Sequence, residues 1–513
     1  MATLAEPRVE DRFPAGSLIT DAAECAFYAE DVFTAGPAPF AVFRPGNIDE
    51  LATGLKVAAA EGLAIVPRGG GMSYTSGYVA PEAGALIVDT GRMDRILVID
   101  ETDMTVTVEA GVSWGALYEE LHPRGLQTPL WGTLSGIKAS IGGGMSQNGL
   151  FWGAARGTIS ASALSMDVVL ADGSIVRTGN GFLRPYGPDL TGLFASDAGA
   201  FGVKAHITLP LMRVPDAFAY GSFAFDAPAH YCAAMSEIGR SGLSSESFGF
   251  DPFLQAQRMK RDSLSNDAKQ LVGMMKSQGG FWKGLKEGAK VVAAGRSFLD
   301  EAKFSIHLIA EGLTQTEADE RMRRIDVIVA EAGGRKVENT IPKVLRSNPF
   351  PTVNSMVGPD GERWVPVHGI VRHSKALGVI EAITDLYETH AADMDRLGVG
   401  AGYMFLTVAQ TGFLIEPVFY WPDALGEIHR RSVEPAHWAK LKRFPADAEA
   451  RALVEKLRAA IIDIFGAAGG MHFQIGRTYP LKRDTDPSAW ELLGAVKAHL
   501  DPEGRMNPGA LGL

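Results

Sequence analysis

Cysteine is almost absent from this chain, which contains only Cys25 and Cys232. Two thiols cannot build a disulfide framework or a thiolate metal site within one chain. Such a low content is typical of a reducing compartment. The sequence also lacks any run of the ~20 apolar residues that a membrane helix needs, and its first residues are too polar for a signal peptide. We therefore expect a cytoplasmic and soluble protein.

The chain also lacks an excess of basic residues. The 49 Lys and Arg residues are outnumbered by 60 Asp and Glu residues, which gives a formal net charge of −11. Nucleic-acid binding requires a basic face that replaces the counterions of the phosphates, so we expect no nucleic-acid partner. Hydrophobic residues make up 46% of the 513 residues. That length and composition predict a globular protein of two domains or three.

Glycine, in contrast, is concentrated in two runs about seventy residues apart. The first run occupies 67–77 and the second occupies 141–149, and each contains three successive glycines. Because glycine has no Cβ, such runs let backbone N–H groups approach an anion closely, and Ser73 can add a hydroxyl donor. Either run alone is weak evidence, but together they predict a cradle for a phosphate-bearing cofactor.

Around the two runs, the hydrophobic pattern alternates between helical and strand periods. In the amino-terminal half it predicts helices over 48–61 and 113–122, strands over 63–67, 85–89, 96–100, 104–109 and 201–211, and a hairpin over 163–178 that turns at Asp172-Gly173. A domain boundary is expected at Val214-Pro215. Beyond it the pattern predicts helices over 317–333, 375–390 and 447–465, strands over 304–310, 402–410 and 412–421, and a strand around His472.

One segment departs from the acidic character of the chain. Residues 256–303 hold ten Lys and Arg against five Asp and Glu, interleaved with large apolar residues. This basic, amphipathic segment has three interpretations: a lid over a pocket, a peripheral membrane contact that passes electrons to a quinone, or an ordinary solvated helix pair.

Eight segments of the chain are similar, in their residues and in their order along the chain, to segments of one flavoprotein family. They are the two glycine runs together with 43–51, 89–96, 108–112, 189–194, 199–203 and 501–509. The chain thereby resembles the vanillyl-alcohol oxidase and p-cresol methylhydroxylase superfamily over 38–215 and, more loosely, over 360–513.

The resemblance implies an α+β fold in two parts. A PCMH-type FAD-binding domain at 1–215 would be completed by the carboxyl-terminal segment 461–513, and a central α+β cap with an antiparallel sheet, at 216–460, would carry most substrate contacts. It also implies that the first run binds the pyrophosphate of FAD through backbone N–H groups, while the second passes along the ribityl chain and the flavin. The implied cofactor-binding residues are Pro67, Arg68, Gly69, Gly70, Gly71, Met72, Ser73, Gly77, Thr133, Ser140, Gly142, Gly143, Gly144, Asn148, Gly149, Gly202, Val203 and Asn507.

Departures from the family pattern narrow the chemistry. Several relatives bond the flavin covalently to a histidine at the position of Met72, where a thioether cannot replace the imidazole. Other relatives attach the flavin to a histidine of the cap, and the nearest counterpart of that residue here is His429. We expect non-covalent FAD, and His429 on a solvated helix face. The paired-histidine metal motif of the D-lactate and D-2-hydroxyglutarate dehydrogenase branch is not intact, so no metal is expected. Where the phenol-oxidising branch has Tyr-Arg, this chain has Phe473-Gln474.

Oxidation of an alcohol by a flavin requires a base for the hydroxyl proton. His472 is the first candidate, with a core histidine as the alternative interpretation; His368 and Glu416 follow, since burial would raise the pKa of a carboxyl group in an apolar strand. Arg477 is expected to stabilise negative charge on the reduced flavin or to hold a substrate carboxylate, and Tyr420 to donate to a substrate oxygen. An aromatic pocket is predicted from Trp152, Trp364, Tyr403, Phe405, Phe419, Tyr420, Trp421, Phe473 and Tyr479.

These observations predict an FAD-dependent oxidase or dehydrogenase that oxidises a hydroxyl-bearing carbon of a small, aromatic or bulky molecule. The alternatives are a D-2-hydroxy-acid dehydrogenase acting on substrates such as lactate or glycolate, and a flavin-binding subunit without turnover. The expected partners are a small-molecule substrate and an electron acceptor, which would be oxygen, a quinone or another carrier. A homo-oligomer is left open.

Overall fold

The computed structural model describes residues 8–259 and 304–513. From 260 onward, the basic segment predicted at 256–303 lies outside the described residues, and so do all three interpretations of it. Within the described part, no helix is both long enough and apolar enough to cross a membrane.

The amino-terminal part consists of short strands and helices in three small sheets. Its strands are Leu18–Ile19 (β1), Ala41–Phe43 (β2), Ile65–Arg68 (β3), Leu86–Asp89 (β4), Ile96–Asp100 (β5), Thr105–Glu109 (β6), Leu126–Gln127 (β7), Ser165–Val169 (β8), Ile175–Gly179 (β9), Val203–Pro210 (β10) and Met212–Arg213 (β11). Its helices are Ala22–Tyr28 (α1), Ile48–Ala60 (α2), Trp114–Leu121 (α3), Ile141–Gln147 (α4), Ile159–Ser162 (α5) and Leu190–Leu193 (α6).

The central part is built on one large antiparallel sheet. Its strands are Ala217–Phe225 (β12), Glu246–Phe250 (β13), Phe304–Gly312 (β14), Arg335–Lys336 (β15), Arg363–Pro366 (β16), Gly369–Arg372 (β17), Gly400–Val408 (β18) and Gly412–Trp421 (β19). The helices from here to the carboxyl terminus are Pro228–Ser241 (α7), Pro252–Met259 (α8), Gln315–Glu331 (α9), Thr340–Ser347 (α10), Ala376–Thr389 (α11), Ala391–Leu397 (α12), Glu427–Ser432 (α13), Pro435–Trp438 (α14), Ala448–Ala467 (α15), Leu481–Asp484 (α16) and Pro487–Leu500 (α17).

Strand pairing separates the two parts. In the amino-terminal part, one sheet has the order β1-β2-β4-β3, with β4 parallel to both β2 and β3, and a second, antiparallel sheet has the order β5-β6-β10-β8-β9. The large sheet has the order β15-β12-β14-β13-β18-β19-β16, and β17 also pairs with β19. Mixed helices and antiparallel sheets confirm the predicted α+β class.

Alternation along β19 explains how the large sheet divides two cores. Phe413, Ile415 and Phe419 pack in one buried cluster with helices α7, α9, α11 and α15, while Leu414, Val418 and Tyr420 point to the other face and pack with the amino-terminal part. Successive side chains of a strand point to opposite faces, so one apolar strand serves both cores. The second face is the one that meets the glycine runs.

Most predicted elements are confirmed within a few residues. Helix α2 begins after Asn47, whose side chain accepts from the N–H of Glu50, and the hairpin β8-β9 turns at Asp172-Gly173 as expected. Two predictions are wrong. The second glycine run, for which a loop is the expectation from its glycine content, is helical over Ile141–Gln147 (α4), and the region of His472 forms a single bridge at Met471 followed by turns instead of a strand.

One predicted domain boundary falls between secondary-structure elements, and the other falls inside a helix. The large sheet begins at Ala217, just after the boundary placed at 215. The boundary placed at 460 lies inside helix α15, which packs as one unit against β17, β19 and α11. Beyond this helix, Met471 still bridges Ile370 of β17, and the domain boundaries remain predictions.

Candidate active site

A deep cavity lies where the glycine runs face the large sheet. It encloses about 1650 Å³ of empty space, a figure that includes its open mouth. Its two ends differ in chemistry. One end is formed by backbone and small residues of 67–78, 139–149 and 198–204, and the other by large side chains of the sheet and of the segment near Gln474.

The first glycine run leaves β3 at the carboxyl end of a parallel strand pair. A Cβ on Gly70 would lie 1.9 Å from the carbonyl oxygen of Lys138, and Gly71 has a left-handed φ of +69°. The run can therefore be built only from glycine at these two positions. Among the described residues, the N–H groups of Gly70, Gly71, Met72 and Ser73 have no acceptor. They form a row of free donors at the cavity wall, which suits an anion.

Arg68 adds positive charge to this end of the cavity. Its guanidinium donates to the carbonyl oxygen of Tyr28 at 3.0 Å and lies 4.7–5.0 Å from the ring centres of Phe27, Tyr28 and Tyr78. None of the ion pairs in the described part of the chain involves Arg68, and the residue is buried. A buried cation that is held by carbonyls and aromatic faces keeps its charge available for a phosphate.

The second glycine run lines the cavity and packs closely against its neighbours. Ser140 caps helix α4, and the N–H groups of Ile141 and Gly142 already donate to the carbonyl oxygens of Val112 and Ala110. A Cβ on Gly142 would lie 2.6 Å from the Cβ of Ala110. These glycines therefore let helix α4 lie against the neighbouring strand and the cavity, whereas the free donors come from the first run.

Lys204 is a wall residue that the sequence analysis missed. It lines the cavity beside Gly202 and Val203, and it forms a buried ion pair with Asp197. Burial lowers the pKa of Lys204, while the Asp197 carboxylate opposes that shift. The signal in the sequence was a single lysine in a largely buried strand, where a buried charge needs a partner.

The other end of the cavity is apolar with a few polar groups. Trp364, Met404, Leu406, Leu414 and Phe473 provide its apolar wall. They come from four separate segments that the sheet brings together.

Four polar side chains line this same end: Glu416 and Tyr420 from β19, Tyr74 from the first run, and Gln474. The side-chain amide of Gln474 donates to the hydroxyl oxygen of Tyr74 at 3.4 Å. Burial raises the pKa of Tyr74 well above its ordinary value, so its phenol is neutral and can donate. Tyr74 and Gln474 were not among the predicted site residues, although Tyr74 lies in the first glycine run and Gln474 was noted as a departure from the family pattern.

The two predicted base histidines lie behind the wall. The Nδ1 of His472 lies 2.7 Å from the carbonyl oxygen of His368, and its ring stacks on Tyr479 at 4.1 Å. His368 is fully buried and stacks on Phe473 at 3.7 Å. Burial lowers the pKa of both imidazoles, so both are neutral. Neither residue lines the cavity, and the expectation that either acts on substrate directly does not fit this placement.

Arg477 and Asn507 also differ from their predicted roles. The guanidinium of Arg477 donates to the carbonyl oxygens of Ser76, Val79 and Pro508 and to the side chain of Asn507. Neither residue lines the cavity. Arg477 is thus occupied by the protein's own oxygens and is not placed to hold a substrate carboxylate.

Of the other predicted residues, Asn148 caps helix α4 in a left-handed conformation and does not line the cavity. The structure brings the rest of the predicted cofactor set to the wall: Pro67, Arg68, Gly69, Gly70, Gly71, Met72, Ser73, Gly77, Thr133, Ser140, Gly142, Gly143, Gly144, Gly149, Gly202 and Val203. The predicted aromatic pocket is smaller than expected, because Trp152, Tyr403, Phe405, Phe419, Trp421 and Tyr479 pack in the cores instead.

The two positions considered for covalent attachment offer no imidazole to the cavity. Met72 lines the wall. His429 does not, and the expectation of a solvated helix face is wrong: the residue is 1% exposed and its Nδ1 accepts from the N–H of Gly426 at 3.1 Å. In residues 8–259 and 304–513, no three His, Cys, Asp or Glu side chains are grouped to hold a metal ion.

Comparison with known proteins identifies two domains in this chain. Residues 39–179 match the FAD binding domain, and residues 439–511 match the C-terminal domain of FAD linked oxidases. The free donors of the first run and the cation of Arg68 fit the pyrophosphate of a dinucleotide, and together with the two matched domains they make FAD the cofactor of this site.

Curated relatives share only part of their length with this chain. The glycolate oxidase subunit GlcD of Bacillus subtilis is 34% identical over 185 residues, which are 35% of this chain and 38% of that protein. The mitochondrial D-lactate dehydrogenase [cytochrome] 1 of Saccharomyces cerevisiae is 29% identical over 212 residues, which are 40% of this chain and 35% of that protein. The chain thus matches little more than a third of these relatives.

Solved structures match almost the whole chain. p-Cresol methylhydroxylase with substrate bound has a TM-score of 0.74 at 15% identity, and 4-ethylphenol oxidase from Gulosibacter chungangensis, in complex with isoeugenol, has a TM-score of 0.72 at 18% identity. Each match covers 98% of this chain and 95% of the other. An alkyldihydroxyacetonephosphate synthase has a TM-score of 0.68 at 16% identity, covering 98% of this chain and 84% of the other. These likenesses show the fold.

Proposed function

We propose that this flavoprotein, which carries an FAD binding domain and the C-terminal domain of FAD linked oxidases, is an FAD-dependent oxidoreductase of the p-cresol methylhydroxylase family that oxidises a hydroxyl-bearing carbon of a small aromatic or bulky molecule. The observation that carries this proposal is the convergence of Tyr74, Glu416, Tyr420 and Gln474 in an otherwise apolar end of the FAD cavity. An apolar pocket with a few convergent polar groups is typical of a site for a small, ring-bearing ligand.

The arrangement suggests a division of roles. Bound FAD supplies the acceptor for the hydride that leaves the carbon. The hydroxyl proton goes to a base on the wall, and Glu416 is the carboxylate that lines this end. Tyr74, held by Gln474, is placed to donate to the substrate oxygen. Loss of one hydride and one proton from the substrate yields the carbonyl product, so the reaction balances.

The apolar wall supports a preference for rings. Trp364 lies edge-on to Tyr74, with ring centres 5.6 Å apart, and Phe473 stacks on His368 behind it. Aromatic rings that are fixed by such contacts bind a planar substrate with little loss of side-chain entropy. The electron acceptor, whether oxygen, a quinone or another carrier, is not indicated by these residues. A cytoplasmic location stays a prediction.

A second candidate function has one observation in its favour. The curated relatives include proteins named glycolate oxidase subunit and D-lactate dehydrogenase, which favours a 2-hydroxy acid as substrate. Such a substrate needs a cation for its carboxylate. Arg477, the residue expected to provide it, is bound to carbonyl oxygens and to Asn507. We therefore rank the hydroxy acid second.

Anaerobic bleaching of the flavin separates the two candidates. The purified protein, saturated with FAD, is mixed without oxygen with benzylic and phenolic alcohols in one series and with glycolate and D-lactate in another. The proposal expects loss of the oxidised flavin absorbance with members of the first series. Bleaching by the hydroxy acids alone would establish the second candidate. If no compound of either series bleached the flavin, the result would favour a flavin-binding subunit without turnover.

A further inference from the structure

The carboxyl-terminal tail reaches the outer side of the first glycine run through two side chains, Arg477 and Asn507, which we name the tail clamp. The side-chain amide of Asn507 donates to the carbonyl oxygens of Gly77 and Ala198, at 2.9 and 2.6 Å. The guanidinium of Arg477 donates to the carbonyl oxygen of Ser76 at 2.6 Å and to the side-chain oxygen of Asn507 at 2.6 Å. The tail clamp thus holds the backbone of two cavity-lining segments, one at Gly77 and one at Ala198.

The direction of each of these carbonyl groups fixes the direction of the N–H group of the next residue in the chain. In a planar trans peptide, the carbonyl of one residue and the N–H of the next point to opposite sides. When Arg477 holds the oxygen of Ser76, the N–H of Gly77 points the other way, and the same holds for Gly77 and Tyr78. Gly77 and Tyr78 line the cavity, and their N–H groups have no acceptor among the described residues.

The tail clamp is itself rigidly placed. Asn507 is buried, and its own N–H donates to the carbonyl oxygen of Ile65 in β3 at 2.7 Å. Burial lowers the pKa of Arg477 to about 10, which leaves the guanidinium protonated at neutral pH. No described ion pair includes Arg477, so a second positive charge lies close to the first run, as Arg68 does.

We propose that Arg477 and Asn507 are positioning residues that aim the N–H groups of Gly77 and Tyr78 at the phosphates of FAD, so that affinity for phosphate-bearing ligands depends on the tail. Neither side chain touches the cavity. The tail acts through the backbone of the first run, about 430 residues away along the chain.

The test is a comparison of ligand affinities of the full-length apoprotein. Asn507→Ala removes both donations to carbonyl oxygens, and its dissociation constants for FAD and ADP should rise at least about tenfold. Adenosine lacks the phosphates, so its affinity, measured by competition with FAD, should change less than about twofold. Arg483→Lys is the control, because Arg483 is exposed and pairs with Asp463 and Asp484 near the tail; its affinities should stay as in the unsubstituted protein.

Two outcomes overturn the proposal: FAD and ADP bind Asn507→Ala as they bind the unsubstituted protein, or adenosine loses as much affinity as ADP. The second would mean that the tail only maintains the fold. If Asn507→Ala does not fold, as judged by the melting temperature of the apoprotein, Arg477→Lys carries the test. Lysine keeps the charge but lacks the planar fork that reaches several carbonyl groups, so the ADP-to-adenosine preference should still fall.

Discussion

Gln474 and Tyr74 are 400 residues apart in the chain, yet the amide of Gln474 donates to the Tyr74 hydroxyl oxygen at 3.4 Å. One comes from the carboxyl-terminal segment and the other from the first glycine run. Their contact closes the aromatic end of the cavity and joins the cofactor cradle to the substrate end. Gln474 reaches this position in a left-handed conformation, with φ of +50°, a cost that a folded site must offset.

Tyr74→Phe removes the hydroxyl and keeps the ring. Because a neutral phenol at this place would donate to the substrate oxygen, we expect kcat to fall by about 10²-fold while FAD binding is retained. Steady-state kinetics with the best alcohol from the bleaching panel measures the change. Tyr186→Phe, at a highly exposed position, is the control. A Tyr74→Phe enzyme with unchanged kcat would remove this residue from the mechanism.

Glu416→Gln tests the proposed base. An amide of the same shape cannot accept the hydroxyl proton, so we expect the rate of flavin reduction to fall by about 10²-fold or more. Stopped-flow absorbance under anaerobic conditions measures this step directly. Affinity for FAD should not change, since Glu416 belongs to β19 of the large sheet and not to the glycine runs. Normal reduction by Glu416→Gln would transfer the role of base to another group.

Gly70→Ala tests the cradle. The added Cβ would lie 1.9 Å from the carbonyl oxygen of Lys138, so the run must shift and its free N–H groups with it. FAD affinity should fall at least about tenfold, or about 1.4 kcal/mol. Gly494→Ala, where nothing lies within 4 Å of an added Cβ in helix α17, should bind FAD normally and be slightly more stable. Fluorescence titration of both apoproteins with FAD gives the comparison.

Treatment with acid or heat should release the flavin. Because the cavity offers the thioether of Met72 and no imidazole at the two positions considered, we expect FAD in the supernatant after precipitation. Absorbance of supernatant and pellet, followed by chromatography of the released flavin, decides the matter. A yellow pellet would show a covalent bond and would direct attention to another wall residue.

Stability at low pH should depend on His429. Burial lowers its pKa to about 3, against about 6.5 for an unfolded histidine. Between these values the unfolded state binds a proton and the folded state does not, so stability falls as the pH falls below 6.5. At pH 5 the cost is about 2 kcal/mol, and above pH 7 it vanishes.

His429→Gln should remove this slope. Glutamine can still accept from the N–H of Gly426. The melting temperature of the variant, relative to that of the unsubstituted protein, should therefore be higher at pH 5 than at pH 8. Melting curves of both proteins across this range measure the difference. Parallel curves would show that His429 is protonated in the folded state or that other groups dominate.

Local chemistry in the sequence was enough to predict the cofactor end of the site. The glycine runs predicted a phosphate cradle, because close approach to an anion requires glycine at particular positions whatever the rest of the chain does. FAD itself was implied by the family resemblance of eight segments in their order along the chain. Most helices and strands followed from periodicity, which local residues determine, and the α+β class followed from the resemblance.

The catalytic end depended on tertiary contacts that no local pattern encodes. The sequence analysis favoured His472, His368 and Arg477, but packing placed His368 against Phe473 and His472 against Tyr479, and it bound Arg477 to carbonyl oxygens. Tyr74 and Gln474 became neighbours only through folding. The two glycine runs together predicted that a phosphate would be bound here; the large sheet and the tail, which come together from distant parts of the chain, decided which side chains face the substrate.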